Sequence, residues 1–346
     1  MIGAGIAGVS CARLLADAGH AVQLFDKSRG VGGRLATRRA EWADADGTQH
    51  QAMFDHGAPG FTARTPAFAR FVEQMRQRGW LVRWSAVHAP GSHAALDEPA
   101  LWVPKPDMPS LCRKLLADMP VELSCPVDAL QHDAHGWRIS SEGRPVGEGF
   151  DHVVLALPPL QTAPLLQAHR ADWAQQARRI PMLPCWTLMG VADEPRTSAW
   201  TLALPTRGPL FWIARNETKP GRDSPPGLSH WVAHATADWS QTHLEANAAD
   251  VQAALQVALA DWLGQPVVWR HVLVHRWRYA SVPRADATVP GRCWWDAALG
   301  LGACGDALGG AGVEGAWTSA HALANTMLAD GDSAQPSATA PCSTTP

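Results

Sequence analysis

Met1-Ile2-Gly3-Ala4-Gly5-Ile6-Ala7-Gly8 decides the fold, because the residues after it complete a recognisable unit. This Gly-x-Gly-x-x-Gly runs straight into the apolar, Ala-rich helical pattern Val9 to Ala18. A tight glycine turn before a helix offers unpaired N–H groups and a positive dipole end to a pyrophosphate, and Cβ atoms would block that approach. Gly19-His20 and the short strand Ala21-Val22-Gln23-Leu24-Phe25 follow, ending in Asp26. A carboxylate about 20 residues beyond the first glycine accepts hydrogen bonds from ribose hydroxyls, so the stretch reads as a βαβ dinucleotide site. Only Met1 and Ile2 precede the first glycine, fewer than the roughly five or six residues of an ordinary strand. We read this as a start placed too far downstream; a genuinely short strand implies weaker cofactor binding.

A second glycine-rich turn follows at once, Lys27-Ser28-Arg29-Gly30-Val31-Gly32-Gly33-Arg34-Leu35-Ala36-Thr37-Arg38-Arg39. Guanidinium forks match phosphate oxygens, and consecutive glycines permit close backbone approach to a long cofactor. Near the other end stand Gly305-Asp306 and then Gly309-Gly310-Ala311-Gly312-Val313-Glu314-Gly315-Ala316, a strand exit and a turn that starts a helix. The order of the three motifs resembles that of amine oxidase and glutathione-reductase-like flavoproteins. The resemblance implies noncovalent FAD, with contacts from Gly3, Gly5, Ile6, Ala7, Gly8, Asp26, Lys27, Gly33, Arg34, Arg38, Gly57, Ala58, Val127, Gly305, Asp306, Gly312, Val313 and Ala316. Arg29 is a further candidate. Asp306 is expected on the ribityl chain, and Val127 as a backbone contact to adenine.

Composition removes other classes. The 346 residues carry 29 basic and 32 acidic side chains, a net charge of -3, so no field of one sign exists to capture nucleic acid or an anionic membrane. No run approaches roughly 18 apolar residues, and no basic region followed by an apolar stretch opens the chain, so we read a cytoplasmic protein. The seven cysteines are odd in number and widely spaced, which suggests buried or incidental thiols rather than a disulfide framework or a metal site. His132 and His135 beside Asp133 read as turn residues and not metal ligands. The 17 Trp, against one Tyr, are assigned mainly to packing, a minority to an aromatic pocket.

Between the motifs, Glu41 to Gln49 reads as a charged loop, Pro66 to Arg78 as a helix, and Asp107-Met108-Pro109 as the start of another. Val153-Val154-Leu155 is a buried parallel strand stopped by Pro158 and Pro159. From Pro159 to about Pro290, Trp-bearing β-like runs such as Leu210 to Ala214 and Ser229 to His234 flank a helix from His243 to Leu263, before a strand from Val267 to Val274. The fold class is therefore α/β, a Rossmann-like FAD-binding domain with an inserted α+β substrate or cap domain. By resemblance the architecture is like that of amine oxidases or p-hydroxybenzoate hydroxylase. The FAD domain is assigned to 1–75, 108–158 and 291–330, the cap to 76–107 and 159–290, and a flexible tail to 331–346.

Finer stretches resemble the bacterial renalase-like proteins: Leu24 to Gly30, Phe61-Thr62-Ala63-Arg64, Trp212 to Arg222, and His275-Arg276-Trp277-Arg278-Tyr279-Ala280. That resemblance implies oxidation of 2- or 6-dihydro isomers of NAD(P)H to NAD(P)+, with oxygen reduced to hydrogen peroxide. Where the family commonly has Gln-Tyr, this chain has Pro59-Gly60, which enlarges the expected pocket or changes its substrate. Hydride transfer needs positioning more than acid–base machinery, and the catalytic-region candidates are His275, Arg276, Trp277 and Tyr279. Alternation sends His275, Trp277 and Tyr279 to one strand face and Arg276 and Arg278 to the other. Asn216, Lys219, Arg215 and Arg222 read either as a substrate-phosphate loop or as a solvated hairpin. Two alternatives remain: an FAD amine oxidase, in which Tyr279 alone precludes a paired-tyrosine cage, and a flavin-bound protein without turnover.

Overall fold

The computed structural model describes residues 1–92, 100–193, 199–283 and 292–334. Met1 to Gly3 fill the central position of a parallel sheet. Ile2 bridges Phe25 on one side and Leu155 on the other, and the amides of Ile2 and Gly3 donate to Val154 and Phe25 carbonyls at 2.8 Å. Helix α1 (Ile6–Asp17) starts directly afterwards. It lies so close to the strand that a Cβ on Gly8 would come within 1.9 Å of the Gly3 carbonyl oxygen. The next strand, β1 (Leu24–Phe25), runs parallel to it.

β2 (Arg38–Ala43) and β3 (Gln49–Phe54) form an antiparallel hairpin with Arg38 opposite Phe54. The loop expected over 41–49 thus shrinks to its middle: the Gly47 amide donates to the Asp44 carbonyl and closes the turn. Helix α2 (Pro66–Gln77) is capped by the Thr65 hydroxyl, has Pro66 in its first turn, and buries Phe68, Val72 and Met75. The pair β4 (Leu81–Trp84) and β5 (Leu101–Pro104) follows. Helix α3 (Ser110–Leu116) starts after Asp107, whose carboxylate accepts the Ser110 amide. β6 (Val121–Glu122) then joins β1 in parallel. A meander, β7 (Val127–Asp133), β8 (Gly136–Ser141) and β9 (Arg144–Phe150), leads into β10 (Val153–Leu155), buried throughout.

After α4 (Pro159–Leu166) and α5 (Ala171–Arg179) comes a five-stranded antiparallel sheet. Its members are β11 (Leu183–Asp193), β12 (Leu202–Ala203), β13 (Leu210–Arg215), β14 (Leu228–Ala235) and β15 (Trp269–Ser281), ordered β12-β13-β14-β11-β15. Helices α6 (Ala237–Thr242) and α7 (Ala248–Leu263) stand between β14 and β15. The helix expected from His243 begins later, at Ala248, because Asn247 caps α7 by accepting the Ala249 amide. The sheet buries both faces. Trp186, Leu188, Trp231 and Ala233 pack with Val251, Leu255 and Leu259 of α7 on one side, while Met189, Val191 and Val232 meet Ala40, Ala52 and Phe54 of the hairpin on the other.

The chain returns to the parallel sheet through β16 (Trp294–Asp296) and β17 (Leu301–Ala303), the latter pairing in parallel with β10. A single turn, α8 (Asp306–Gly309), precedes the long α9 (Gly312–Ala334), which continues past residue 330, the limit expected for it. Residues 335–346 of the expected tail lie outside the described residues. Packing claims most indoles: Trp84, Trp137, Trp173, Trp186, Trp231, Trp294 and Trp317 are buried, and others, among them Trp42, Trp102, Trp200 and Trp269, pack partly buried against the cores. Cys11, Cys112, Cys125, Cys185 and Cys304 are buried thiols as well.

Candidate functional site

The glycine-rich turns converge at the start of α1. Gly5 and Gly32 form a parallel bridge, the Gly32 amide donates to the Ala4 carbonyl at 2.8 Å, and a Cβ on Gly33 would lie 3.2 Å from the Gly5 Cα. A Cβ on Gly5 itself would meet nothing nearer than 3.9 Å, so space is open before the helix. No side chain caps α1, which leaves the first-turn amides of Ile6, Ala7 and Gly8 without an intrahelical acceptor. This geometry fits an anionic group held by backbone, as a dinucleotide diphosphate requires.

Asp26 is buried, and its carboxylate accepts the Ala4 amide at 2.7 Å and the Ser28 amide at 2.8 Å. It therefore locks the first turn onto the second strand, with free lone pairs remaining. Lys27 beside it is exposed. The Cys125 amide donates to the Asp26 carbonyl, which places Val127 just beyond that strand end. Arg34 differs from its sequence expectation. Its guanidinium forks onto Asp306 at 2.6 and 2.7 Å and also donates to the Ala280 carbonyl at 3.2 Å. Instead of a free phosphate ligand, Arg34 is the tie between the second and third turns, and Asp306 is its partner. Gly57 and Ala58 run along the same segment: the Ala58 amide donates to the Arg34 carbonyl, and a Cβ on Gly57 would come within 2.0 Å of that oxygen. At the third turn, Val313 and Ala316 face the core with Phe68 and Trp317, so any contact from them is through backbone. Glu314 accepts the Arg64 and Thr65 amides, anchoring the segment before α2.

A second cluster adjoins Gly57. Cross-strand register sets Trp212 beside His234, His234 beside Thr187, and Thr187 beside His275. His56 lies over this row: its carbonyl accepts Trp277 Nε1–H at 2.9 Å and the Thr187 hydroxyl at 3.3 Å. Its ring meets His275 edge-on with centroids 4.8 Å apart and Trp277 at 5.1 Å. Burial pushes His56 down to about 4, with the charges of His275 and Arg38 adding to it. Burial likewise lowers His234 to about 3, assisted by Lys219, and lowers His275, assisted by Arg38. All three imidazoles are therefore neutral near pH 7. His56 Nδ1 and His234 Nε2 are buried without a hydrogen-bond partner.

Arg276 does not join this cluster. Its guanidinium donates to the Leu244 carbonyl and Glu245 and lies over Trp186, while Arg278 forks onto the same Glu245. Strand alternation carries both to the far face, so Arg276 is withdrawn as a catalytic candidate. Tyr279 shares the alternation of His275 and Trp277 and precedes Ala280, the residue that receives Arg34. Asn216, Lys219 and Arg222 fit neither sequence reading. They are buried, with Lys219 1% and Arg222 2% exposed, and both cations converge on Asp55 Oδ2 at 3.1 and 3.0 Å. Thr37 donates to Asp55 Oδ1 at 2.7 Å, and Asn216 joins the Asp55 amide to the Met53 carbonyl. His56, His234, Thr187 and Asp55 are the members that sequence reading missed. Among the described residues no three His, Cys, Asp or Glu side chains form a metal-binding group, and no helix is long and apolar enough to cross a membrane.

Residues 1–75 match the family model of the NAD(P)-binding Rossmann-like domain. The whole chain resembles solved oxidoreductase structures. A candidate protoporphyrinogen oxidase from Exiguobacterium sp. 255-15 matches with TM-score 0.69 and 12% identity over 95% of this chain and 98% of that one. Cyclohexylamine oxidase from Brevibacterium oxydans IH-35A gives 0.60 and 14%, over 96% and 98%. An oxidoreductase from Methanosarcina mazei gives 0.59 and 15%, over 94% and 99%. At these identities the fold is what is shared: a mixed α/β architecture with a Rossmann-like N-terminal unit, as the glycine motifs predict.

Proposed function

We propose that the protein is an FAD-dependent oxidoreductase that oxidises 2- or 6-dihydro isomers of NAD(P)H to NAD(P)+, reducing oxygen to hydrogen peroxide. The observation that carries the cofactor reading is the meeting of three glycine-rich turns at the uncapped start of α1, tied together by Arg34 and Asp306. Bound noncovalently, FAD supplies the hydride acceptor and the route to oxygen. The backbone of Gly3 to Gly8 and Gly33 holds its diphosphate, Asp26 a ribose, and Gly57-Ala58 lie along the adjoining segment. In this reading 1–75, 108–158 and 291–330 carry the cofactor, and 76–107 with 159–290 carry the substrate wall.

The second cluster supports the substrate class. A dihydropyridine that loses hydride becomes an aromatic pyridinium and needs no base. An ammonium substrate must first shed a proton. Here the walls are neutral imidazoles and the Trp277 indole, and the nearest carboxylate, Asp55, is wholly buried among its cations. His56, His275 and Trp277 orient the ring and exclude water. The amine oxidase reading rests on fold likeness to proteins such as cyclohexylamine oxidase. Anaerobic mixing of the FAD-loaded protein with 2- or 6-dihydroNAD(P), followed at the flavin's visible band, tests the proposal. Prompt bleaching is expected; bleaching by amines alone, or by neither, overturns it.

A further inference from the structure

Three carboxylates around the site are already engaged. Asp306 holds Arg34, Asp107 accepts from Arg39, Arg113 and Ser110, and Asp55 is enclosed by Lys219, Arg222 and Thr37. Arg38 differs from the cations that these acids hold. It is exposed and has no ion-pair partner among the described residues. Its direction follows from the hairpin. Thr37 and Arg39 turn toward Asp55 and Asp107, so strand alternation sends Arg38 to the opposite face. Phe54 is its register partner, and His56 follows two residues later on the side that meets His275 and Trp277. The electrostatic influence of Arg38 on both imidazoles agrees with that placement.

We propose that Arg38 is the anion-recognising residue of this site, selecting a planar ring that carries a phosphate and discriminating against ring-bearing ammonium compounds. The assignment rests on the dihydronicotinamide reading and deepens it, moving Arg38 from cofactor to substrate. A guanidinium beside aromatic and neutral imidazole walls offers a charge-assisted bidentate contact to a phosphate. The same charge repels an amine, and Asp55, Asp107 and Asp306 are held by other cations.

The test uses FAD-loaded protein and ligands that do not reduce flavin. NAD+ and nicotinamide riboside share the nicotinamide ring and its ribose, and NAD+ adds a diphosphate and an adenosine, so the loss on Arg38→Gln isolates the phosphate share. NAD+ should bind at least about tenfold more tightly in the native protein, read by calorimetry and flavin band shift. Arg38→Gln should remove that preference, leave nicotinamide riboside unchanged and retain FAD; Arg38→Lys should keep much of it. An unchanged NAD+ preference in Arg38→Gln overturns the proposal, and loss of FAD returns Arg38 to the cofactor. Benzoate and benzylamine separate this idea from the nicotinamide reading. If neither nicotinamide compound binds but benzoate perturbs the flavin band in an Arg38-dependent way, the substrate reading fails and anion recognition stands. Tighter binding of benzylamine, or no response to any of the four, overturns it.

Discussion

Asp55→Asn and Lys219→Met make opposite demands on one buried cluster. Asp55 is 0% exposed and lies 3.1 Å from Lys219 Nζ and 3.0 Å from Arg222. Burial opposes its charge, but Lys219, Arg222 and the Thr37 hydroxyl prevail and hold the carboxyl below its ordinary range. Replacing Asp55 with Asn leaves two cations facing each other in the core. Breaking a buried pair in this way costs about 3–5 kcal/mol, or a fall in melting temperature of roughly 5–15 °C for a domain of this size. Lys219→Met instead leaves one acid with one guanidinium, and Lys219 is the member whose charge burial already disfavours. The Asp55–Arg222 pair that remains is charge-balanced, so Lys219→Met avoids the uncompensated buried charge that makes a broken pair costly and should lose clearly less stability than Asp55→Asn. Thermal and urea unfolding of both variants at pH 7, with and without FAD, read the difference. Equal damage from the two substitutions, or a silent Asp55→Asn, refutes the one-acid, two-cation account.

Stability should also fall steeply with acid. His56, His230 and His321 are lowered to about 4 and His234 to about 3, all chiefly by burial. The unfolded chain binds protons at these sites below its ordinary value near 6.5, and the folded chain does not. The histidine contribution is therefore complete above pH 6.5 and lost as pH falls toward 4, at up to about 1.4 kcal/mol per pH unit for each ring; urea midpoints from pH 8 to 5 check it, and flat midpoints would contradict the buried neutral state. Gly5→Ala and Gly8→Ala separate binding from folding. The first has room and should weaken FAD retention with little change in melting temperature, whereas the second drives a methyl into the Gly3 carbonyl and should lose both. Arg276→Ala should leave flavin reduction rates unchanged, because its partners are Leu244 and Glu245; a large loss in stopped-flow rates would restore it to the site. Gly60→Tyr should fold normally, since a Cβ there meets Trp102 and Val103 only at 3.5 and 3.6 Å, and circular dichroism with thermal melting decides.

What the sequence made legible was local. The three glycine turns, the helix starting at Pro66 and the buried run Val153 to Leu155 each declare themselves within a few residues, and the structure builds a Rossmann-like unit with them. Two local signals went unread: Asp46-Gly47, a strong hairpin turn between Trp42 and His50, and Asn247 followed by Asp250, an ordinary helix start. The site is another matter. Asp55 meets Lys219 and Arg222 across more than 160 positions of sequence, and nothing near any of the three announces the others. His230 and His234 do leave a trace, as alternate polar positions in a strand whose neighbours are buried. Pairing of β14 with β11 and β11 with β15 is what turns that trace into a row with Thr187 and His275.

The arginines show why residue type alone misassigns a site rich in one kind of charge. In sequence Arg34 and Arg38 read as cofactor contacts, Arg276 as a catalytic candidate, and Arg215 and Arg222 as a substrate-phosphate loop or a solvated hairpin, and what separates them in the structure is the acid each finds. Arg34 finds Asp306, Arg215 finds Glu217, Arg222 finds Asp55 and Arg276 finds Glu245. A guanidinium already held by a carboxylate contributes geometry, because its donors are committed before a ligand arrives. A cation left without an acid projects its charge outward, and among the described residues of β2 and β15 on the site face that residue is Arg38. The acids therefore sort the arginines, and what marks Arg38 is that its donors remain uncommitted among the described residues.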